Sequence, residues 1–196
     1  MPLRDFCRLR PMQTGDRDRI HRWRNEDRIR SVMFNTHPIT PSEHARWFQS
    51  ALEDSKSCYL VFEFQGRPVG VVNFPKMDDV TRSCRWGFYM GETDVPKGTS
   101  DAMGYLGLEH AFDTLSMQLI IGETLLHNQR AIRFHQRLGF EQTKATVSRL
   151  GERDVKQDVV EFRLTHTQWK QQQPHLLKQI FVESETPVSQ AGTRKK

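Results

Sequence analysis

The spacing of apolar residues changes along the chain, and the changes mark its elements. From Thr14 to Trp23 and the basic stretch beyond, Ile20, Trp23 and Ile29 stand among charges at helical spacing, so short helical segments are expected. Thr40-Pro41-Ser42-Glu43 joins a hydroxyl N-cap to proline at the first helical position and glutamate at the third. Ala45, Trp47, Phe48, Ala51 and Leu52 then supply an apolar stripe, which predicts a helix from Pro41 to Leu52. Beyond it the runs become β-rich. Cys58 to Phe64, Pro68 to Phe74 and Ser83 to Met90 are separated by turn residues, Gln65-Gly66 among them, and read as an antiparallel meander. A short strand at Phe6 to Leu9 precedes the first helix.

The second half alternates element types. Gly91 to Ser100 is a loop of Gly, Pro, Thr and Asp, followed by an apolar-periodic helix from about Asp101 to Leu115. Gln118 to Leu125 reads as a buried strand, Gln129 to Leu138 as a helix closed by Gly139, and Asp158 to Leu164 as a last strand after an irregular stretch. Antiparallel strands followed by β-α-β-α-β define a mixed α/β (α+β) layer. The predicted domain spans residues 1–165. Residues 166–196 carry a Gln run, Pro174, Pro187 and a basic end, and are expected to be a mostly disordered tail with a short docked helix near Leu176 to Val182.

Composition narrows the function classes. A chain of 196 residues suits one domain with something left over. The net charge of +5, with nine arginines against five acids in the first thirty residues, favours an anionic ligand or partner. Those arginines are scattered singly and accompany no nucleic-acid-binding pattern, so no nucleic acid is expected. Cys7, Cys58 and Cys84 form no Cys-x-x-Cys pair and are odd in number, which indicates neither a metal site nor a disulfide framework and fits a reducing cytoplasm. No run of apolar residues is long enough for a membrane span.

Three features carry candidate chemistry. The loop Val95-Pro96-Lys97-Gly98-Thr99-Ser100 runs from a strand into a helix N-terminus, where free N–H groups and the helix dipole make an anion site; a simple turn capped by Ser100 or Thr99 explains it equally well. On the helix after Asn128, Ala131, Ile132, Phe134, His135 and Leu138 share one arc, so His135 faces inward, as a core imidazole or a catalyst. Asn128 is either the N-cap of that helix or a ligand contact. Glu123 interrupts the apolar run Leu119-Ile120-Ile121-Gly122 and needs either an arginine partner or a task as a base.

Trp86-Gly87-Phe88-Tyr89-Met90, then Pro96-Lys97-Gly98-Thr99, then Asn128-x-x-Ala131-Ile132-x-Phe134-His135-x-x-x-Gly139-Phe140 resemble, in order and spacing, the GNAT acetyltransferases. The resemblance implies the GNAT fold, with helices on both faces of a mixed sheet, and acetyl-CoA as co-substrate without a metal. It assigns the pyrophosphate of CoA to Lys97, Gly98, Thr99, Ser100, Asp101 and Met103, and the pantetheine arm to the backbone of Phe88, Tyr89 and Met90, with Asn128 close by. Two positions depart from the pattern. Of [Gln/Arg]-x-x-Gly-x-[Gly/Ala] only Gly98 is kept, with Val95 first and Ser100 last. His135 stands where the family usually has a tyrosine that protonates the departing thiolate, a task an imidazolium could also perform.

Trp23-Arg24-Asn25, Arg30, Met33, Asn35, Ile39-Thr40, Glu43-His44 and Trp47, with Val69 to Phe74, are further similar to the PseH-type N-acetyltransferases of UDP-linked amino sugars. Ribosomal-protein N-terminal acetyltransferases share part of that pattern. The similarity implies a nucleotide-sugar acceptor, contacted by Arg30 and His44 at the nucleotide and by Met33, Trp47 and Asn73 at the sugar. A homodimer is compatible with it. A non-catalytic acyl-CoA-binding module is the contrasting expectation, given the altered loop and the missing tyrosine.

Overall fold

The computed structural model describes residues 3–150 and 156–182, with backbone alone at 144–150 and 156. A single seven-stranded sheet has the order β1-β2-β3-β4-β5-β7-β6. Its strands are β1 (Cys7–Pro11), β2 (Cys58–Phe64), β3 (Arg67–Phe74), β4 (Ser83–Met90), β5 (Leu119–Leu125), β6 (Glu141–Leu150) and β7 (Lys156–Thr165). Every neighbouring pair is antiparallel except β4 and β5, which run parallel because a helix crosses between them.

The helices are α1 (Arg17–Asn25), α2 (Asp27–Arg30), α3 (Pro41–Glu53), α4 (Thr99–Glu109, prolonged by a π-helical turn at His110–Thr114), α5 (Gln129–Arg137) and α6 (His166–Phe181). They cover both faces of the sheet. Side chains alternate across a strand, so Leu60, Phe62 and Val72 join one core with residues of α4, α5 and α6, while Val61 and Val71 join another with Ile20, Trp23, Ile29, Phe48 and Ala51. Burial on both faces explains why β2 and β3 read as almost unbroken apolar runs. α3 begins at the expected capping box, with Thr40 Oγ1 accepting from Glu43 N–H at 3.3 Å.

Two expectations are corrected. The stretch after Phe140 is β6, which pairs with β7 at the edge of the sheet. Its polar composition hid it, since an edge strand needs little apolar burial. Residues 166–181, expected as a mostly disordered tail, form α6, which starts at a Thr165–Gln168 capping box and buries Trp169, Leu176, Ile180 and Phe181 in the same core as α4. Residues 183–196 lie outside the described residues.

Candidate active site

The site begins where β4 changes partners. Ser83–Trp86 pair with Leu119–Gly122 of β5, whereas Gly87–Met90 pair with Asn73–Gly70 of β3. Beyond Trp86 and Gly122 the parallel strands part, leaving a slot. The Gly91 N–H donates to Val69 O at 2.8 Å, so by alternation Tyr89 and Gly87 also bond toward β3, while the N–H and C=O of Phe88 and the N–H of Met90 turn into the slot, the Met90 C=O being taken by Arg28. An extended, amide-bearing arm finds strand-like partners there. Of the three backbone positions expected to serve it, Tyr89 is therefore corrected: its polar groups are engaged with Val71.

The slot is floored by aromatic rings. Trp86, Phe88, Phe134 and Phe140 surround His135, which is stacked on Phe162 at 4.6 Å and is 1% exposed. A Cβ on Gly122 would lie 2.3 Å from His135 Nε2, so glycine is required at that position for the ring to seat. Trp86 Nε1–H donates to His135 Nε2 at 3.1 Å, and the opposite nitrogen, Nδ1, lies 2.9 Å from Ala131 O. This pairing fixes the neutral tautomer with its proton on Nδ1. Burial pushes the imidazole down to about 4, the Ala131 bond opposing it only in part. The expected imidazolium donor is corrected accordingly, because Nε2 holds no proton and Nδ1–H is spent on the backbone. His135 instead holds Trp86 at the point where the strands part.

Where α4 begins, Gly98 is the N-cap at φ +93°, a conformation that favours glycine, and no side chain caps the helix. By contrast Thr40, Asn128 and Thr165 cap α3, α5 and α6 with their side chains. The expected hydroxyl cap at Thr99 or Ser100 is thus absent, which leaves the first-turn N–H groups of Ser100 and Asp101 without a side-chain acceptor. Thr99 Oγ1 is buried with no hydrogen-bond partner among the described residues. Lys97 is exposed at the same rim. A dipole and free N–H groups so arranged are able to cradle an anion. Met103 points away from it, into the core against Gly70. Asn128 accepts from Ala131 N–H at 3.1 Å, the capping role.

Glu123 follows Gly122 directly and so stands where β4 and β5 separate. It is paired with Arg85, the arginine partner that the first of its two sequence readings calls for.

On the opposite face of β3 and β4 lies a second group of residues. Asn73 covers Gly87, where a Cβ would lie 2.7 Å from Asn73 Oδ1. His44 lies among His21, Trp47 and Phe48, and Trp47 in turn meets Tyr59 edge-on. His44 is buried, its Nε2 has no hydrogen-bond partner among the described residues, and burial together with nearby His21 pushes it down to about 4. Trp47 is 41% exposed, too open for a helix-core residue. Met33 packs against this core. Arg30 is not brought to the group; it pairs with Asp27 beside an open depression of about 430 Å³ lined also by Ser31 and Thr36.

Sequence reading missed Arg24. Its Nη1 is buried with no hydrogen-bond partner among the described residues, and burial holds its pKa below the ordinary value, opposed by neighbouring Tyr89. The available signal was its place between Trp23 and Asn25, which are both fixed: Trp23 Nε1–H donates to Glu92 at 2.9 Å, and Asn25 Nδ2–H donates to Ile39 O at 2.9 Å. The helical wall is also fastened to β4 directly. Arg28 donates to Met90 O at 2.9 Å and to Gly91 O, and Gly91 is packed so closely under Trp23 that a Cβ would lie 2.1 Å from the indole.

A strand pair that splays beside an uncapped helix N-terminus, with polar groups gathered on the far face, is the arrangement of an acyl-CoA-dependent transferase. The chain matches the acetyltransferase (GNAT) domain family over residues 7–141 and belongs to that family; it is an acetyl-CoA-dependent N-acetyltransferase. No curated protein matches the sequence. Among solved structures, it is similar to a spermidine N-acetyltransferase from Vibrio cholerae in complex with CoA and spermine, with a TM-score of 0.75 at 19% identity over 85% of this chain and 99% of the other. A dodecameric structure of spermidine N-acetyltransferase from the same organism gives a TM-score of 0.69 at 20% identity over 84% and 96% of the two chains. At such identities the likeness establishes the fold. Among the described residues no group of His, Cys, Asp and Glu is placed to hold a metal, and no helix is long and apolar enough to cross a membrane.

Proposed function

We propose that this enzyme acetylates the 4-amino group of a UDP-linked amino sugar, UDP-4-amino-4,6-dideoxy-N-acetyl-β-L-altrosamine, as in pseudaminic acid synthesis. The observation that carries the reading is Arg24, whose Nη1 is buried with no hydrogen-bond partner among the described residues, on the face opposite the donor slot. Such a group calls for an anion, and a nucleotide diphosphate supplies one. A polyamine calls for the reverse, uncommitted carboxylates. Those on and beside α1 and α2 are already paired: Asp18 with Arg17, Glu26 with Arg28, Asp27 with Arg30, and Glu92 with Arg22. His44, Trp47, Met33 and Asn73 border the same face and suit a nucleoside and a sugar. Free Cys7, Cys58 and Cys84 suit a cytoplasmic setting, and self-association belongs to the same reading.

Acetyl transfer needs a neutral amine, a polarised thioester carbonyl and a path for two protons. In this reading the Met90 N–H faces the carbonyl as negative charge grows on its oxygen. The α4 N-terminus, with Lys97, Thr99, Ser100 and the Asp101 N–H, holds the diphosphate of CoA. Glu123, at the point where the strands part, relays the amine proton through water, and the departing CoA thiolate takes its proton from solvent. Replacement by glutamine distinguishes that role from a purely structural one. E123Q is expected to lower kcat about 100-fold with little change in thermal stability; an unchanged kcat would assign Glu123 a structural role, with Arg85 among its partners.

The acceptor is tested by mass spectrometry after incubation with acetyl-CoA and, separately, the UDP-amino sugar, spermidine and a ribosomal-protein N-terminal peptide. One acetyl group on the UDP-amino sugar is expected. Acetylation of spermidine or the peptide in its place would overturn the reading. Arg24→Met is expected to raise the acceptor KM about 10- to 100-fold with little change in the KM for acetyl-CoA, the loss of one charge-assisted hydrogen bond.

A further inference from the structure

The anion cradle contains an anomaly, a carboxylate. Asp101 is the third residue of α4, within one turn of the N–H groups that receive phosphate, and its charge there opposes the ligand the cradle is built for. Arg137, from the last turn of α5, donates to Asp101 Oδ1 at 2.7 Å. Two contacts hold the guanidinium there. It lies 5.8 Å from the centre of the Phe134 ring, and α5 approaches α4 closely because position 104 is glycine, where a Cβ would lie 2.6 Å from both Leu138 and Phe134. Arg130 and Arg133 stand on the same helix without an acidic partner among the described residues, so there the pairing is particular to Arg137.

We infer that Arg137 is a positioning residue for the donor: it neutralises Asp101 and thereby lets the α4 N-terminus accept the CoA diphosphate. The inference rests on the reading that this N-terminus is the diphosphate site, for which the missing cap and the buried, unpartnered Thr99 hydroxyl stand as separate observations. Asp101 meanwhile favours the helix through the dipole, which accounts for a carboxylate in this first turn. The ion pair thus reconciles a helix-stabilising charge with an anionic ligand.

The test is a charge cycle read by titration calorimetry with CoA itself, so that no turnover is required. Arg137→Ala is expected to weaken CoA binding about tenfold, the effect of one uncompensated charge a few ångströms from the diphosphate. Asp101→Asn alone, which keeps the backbone N–H and frees the Arg137 charge, should bind CoA more tightly than the unaltered chain, and the double variant should return to within about twofold of the unaltered chain. Arg137→Lys should retain most of the affinity. If the double variant remains as weak as Arg137→Ala, Arg137 contacts CoA itself and the inference fails. If the loss in Arg137→Ala vanishes with 3′-dephospho-CoA, the arginine reads the 3′-phosphate and the inference fails too. Ser100→Asp separates this from the underlying site. It should abolish CoA binding, and if it does not, the diphosphate lies elsewhere whatever the cycle shows. Thermal unfolding of each variant reports whether a loss of affinity is a loss of fold.

Discussion

Lowering the pH from 7 to 5 is expected to remove about 4 kcal/mol of folding stability, divided evenly between two buried histidines. His44 and His135 are both held near 4 by burial, against an ordinary value of 6.5. The unfolded chain takes up protons as the pH falls through 6.5, while the folded chain keeps both rings neutral until about 4. Between those values the unfolded state binds more protons, so stability is intact above pH 6.5 and is lost progressively as pH falls toward 4. Urea midpoints at pH 7 and 5 measure the loss. His44→Phe, which keeps the ring among His21, Trp47 and Phe48, should remove half of the pH dependence. A midpoint that is flat from pH 7 to 5 would show that neither ring resists protonation.

Arg10→Met is expected to cost about 3–5 kcal/mol, enough to unfold a marginal domain. Arg10 bonds both oxygens of Asp16 at 2.7 Å and Glu63 at 2.7 Å, and Asp16 and Glu63 are both buried. Burial alone would raise both carboxyls, yet the bonds from Arg10, with Arg8 also on Glu63, hold them below the ordinary range. Removing the guanidinium leaves buried Asp16 with only the Gln13 N–H and a distant Arg19, and Glu63 with Arg8 alone. Replacing all three residues by apolar ones of similar volume should cost far less, because the desolvation of the charges disappears with them. Urea unfolding of the single and triple variants decides this, and a single variant no less stable than the triple would mean that the network contributes little.

Elements that announce themselves locally were legible in the sequence. The capping box at Thr40, the apolar runs of β2 to β5 and the glycine after α5 each state their structure within a few residues, and the structure places them where expected. β6 and α6 were not legible for the same physical reason. A polar edge strand is fixed by its partner, and α6 by a buried stripe of Trp169, Leu176 and Ile180 spread too thinly among glutamines, with Pro174 inside, to stand out. The inward face of α5 was legible, but the state of His135 was not. That state depends on a hydrogen bond from Trp86, 49 residues away in sequence. Arg24 stood in a quoted motif, but its role was not legible for a related reason: whether an arginine is solvated or stranded is a property of the packed fold, not of its neighbours in the chain.

The alternation of side chains along β3 and β4 divides labour between successive residues. Phe88 faces the aromatic floor of the donor slot, while Gly87 and Tyr89, on either side of it, face Asn73 and Arg24. One strand thus presents two different surfaces through its odd and even positions, and the plane of the sheet separates them. Under the proposed function, substitutions in α1 to α3 and at the odd positions would redraw what is acetylated while the acetyl donor stays constant. That independence gives lineages of this fold a way to diverge in acceptor without reinventing the chemistry.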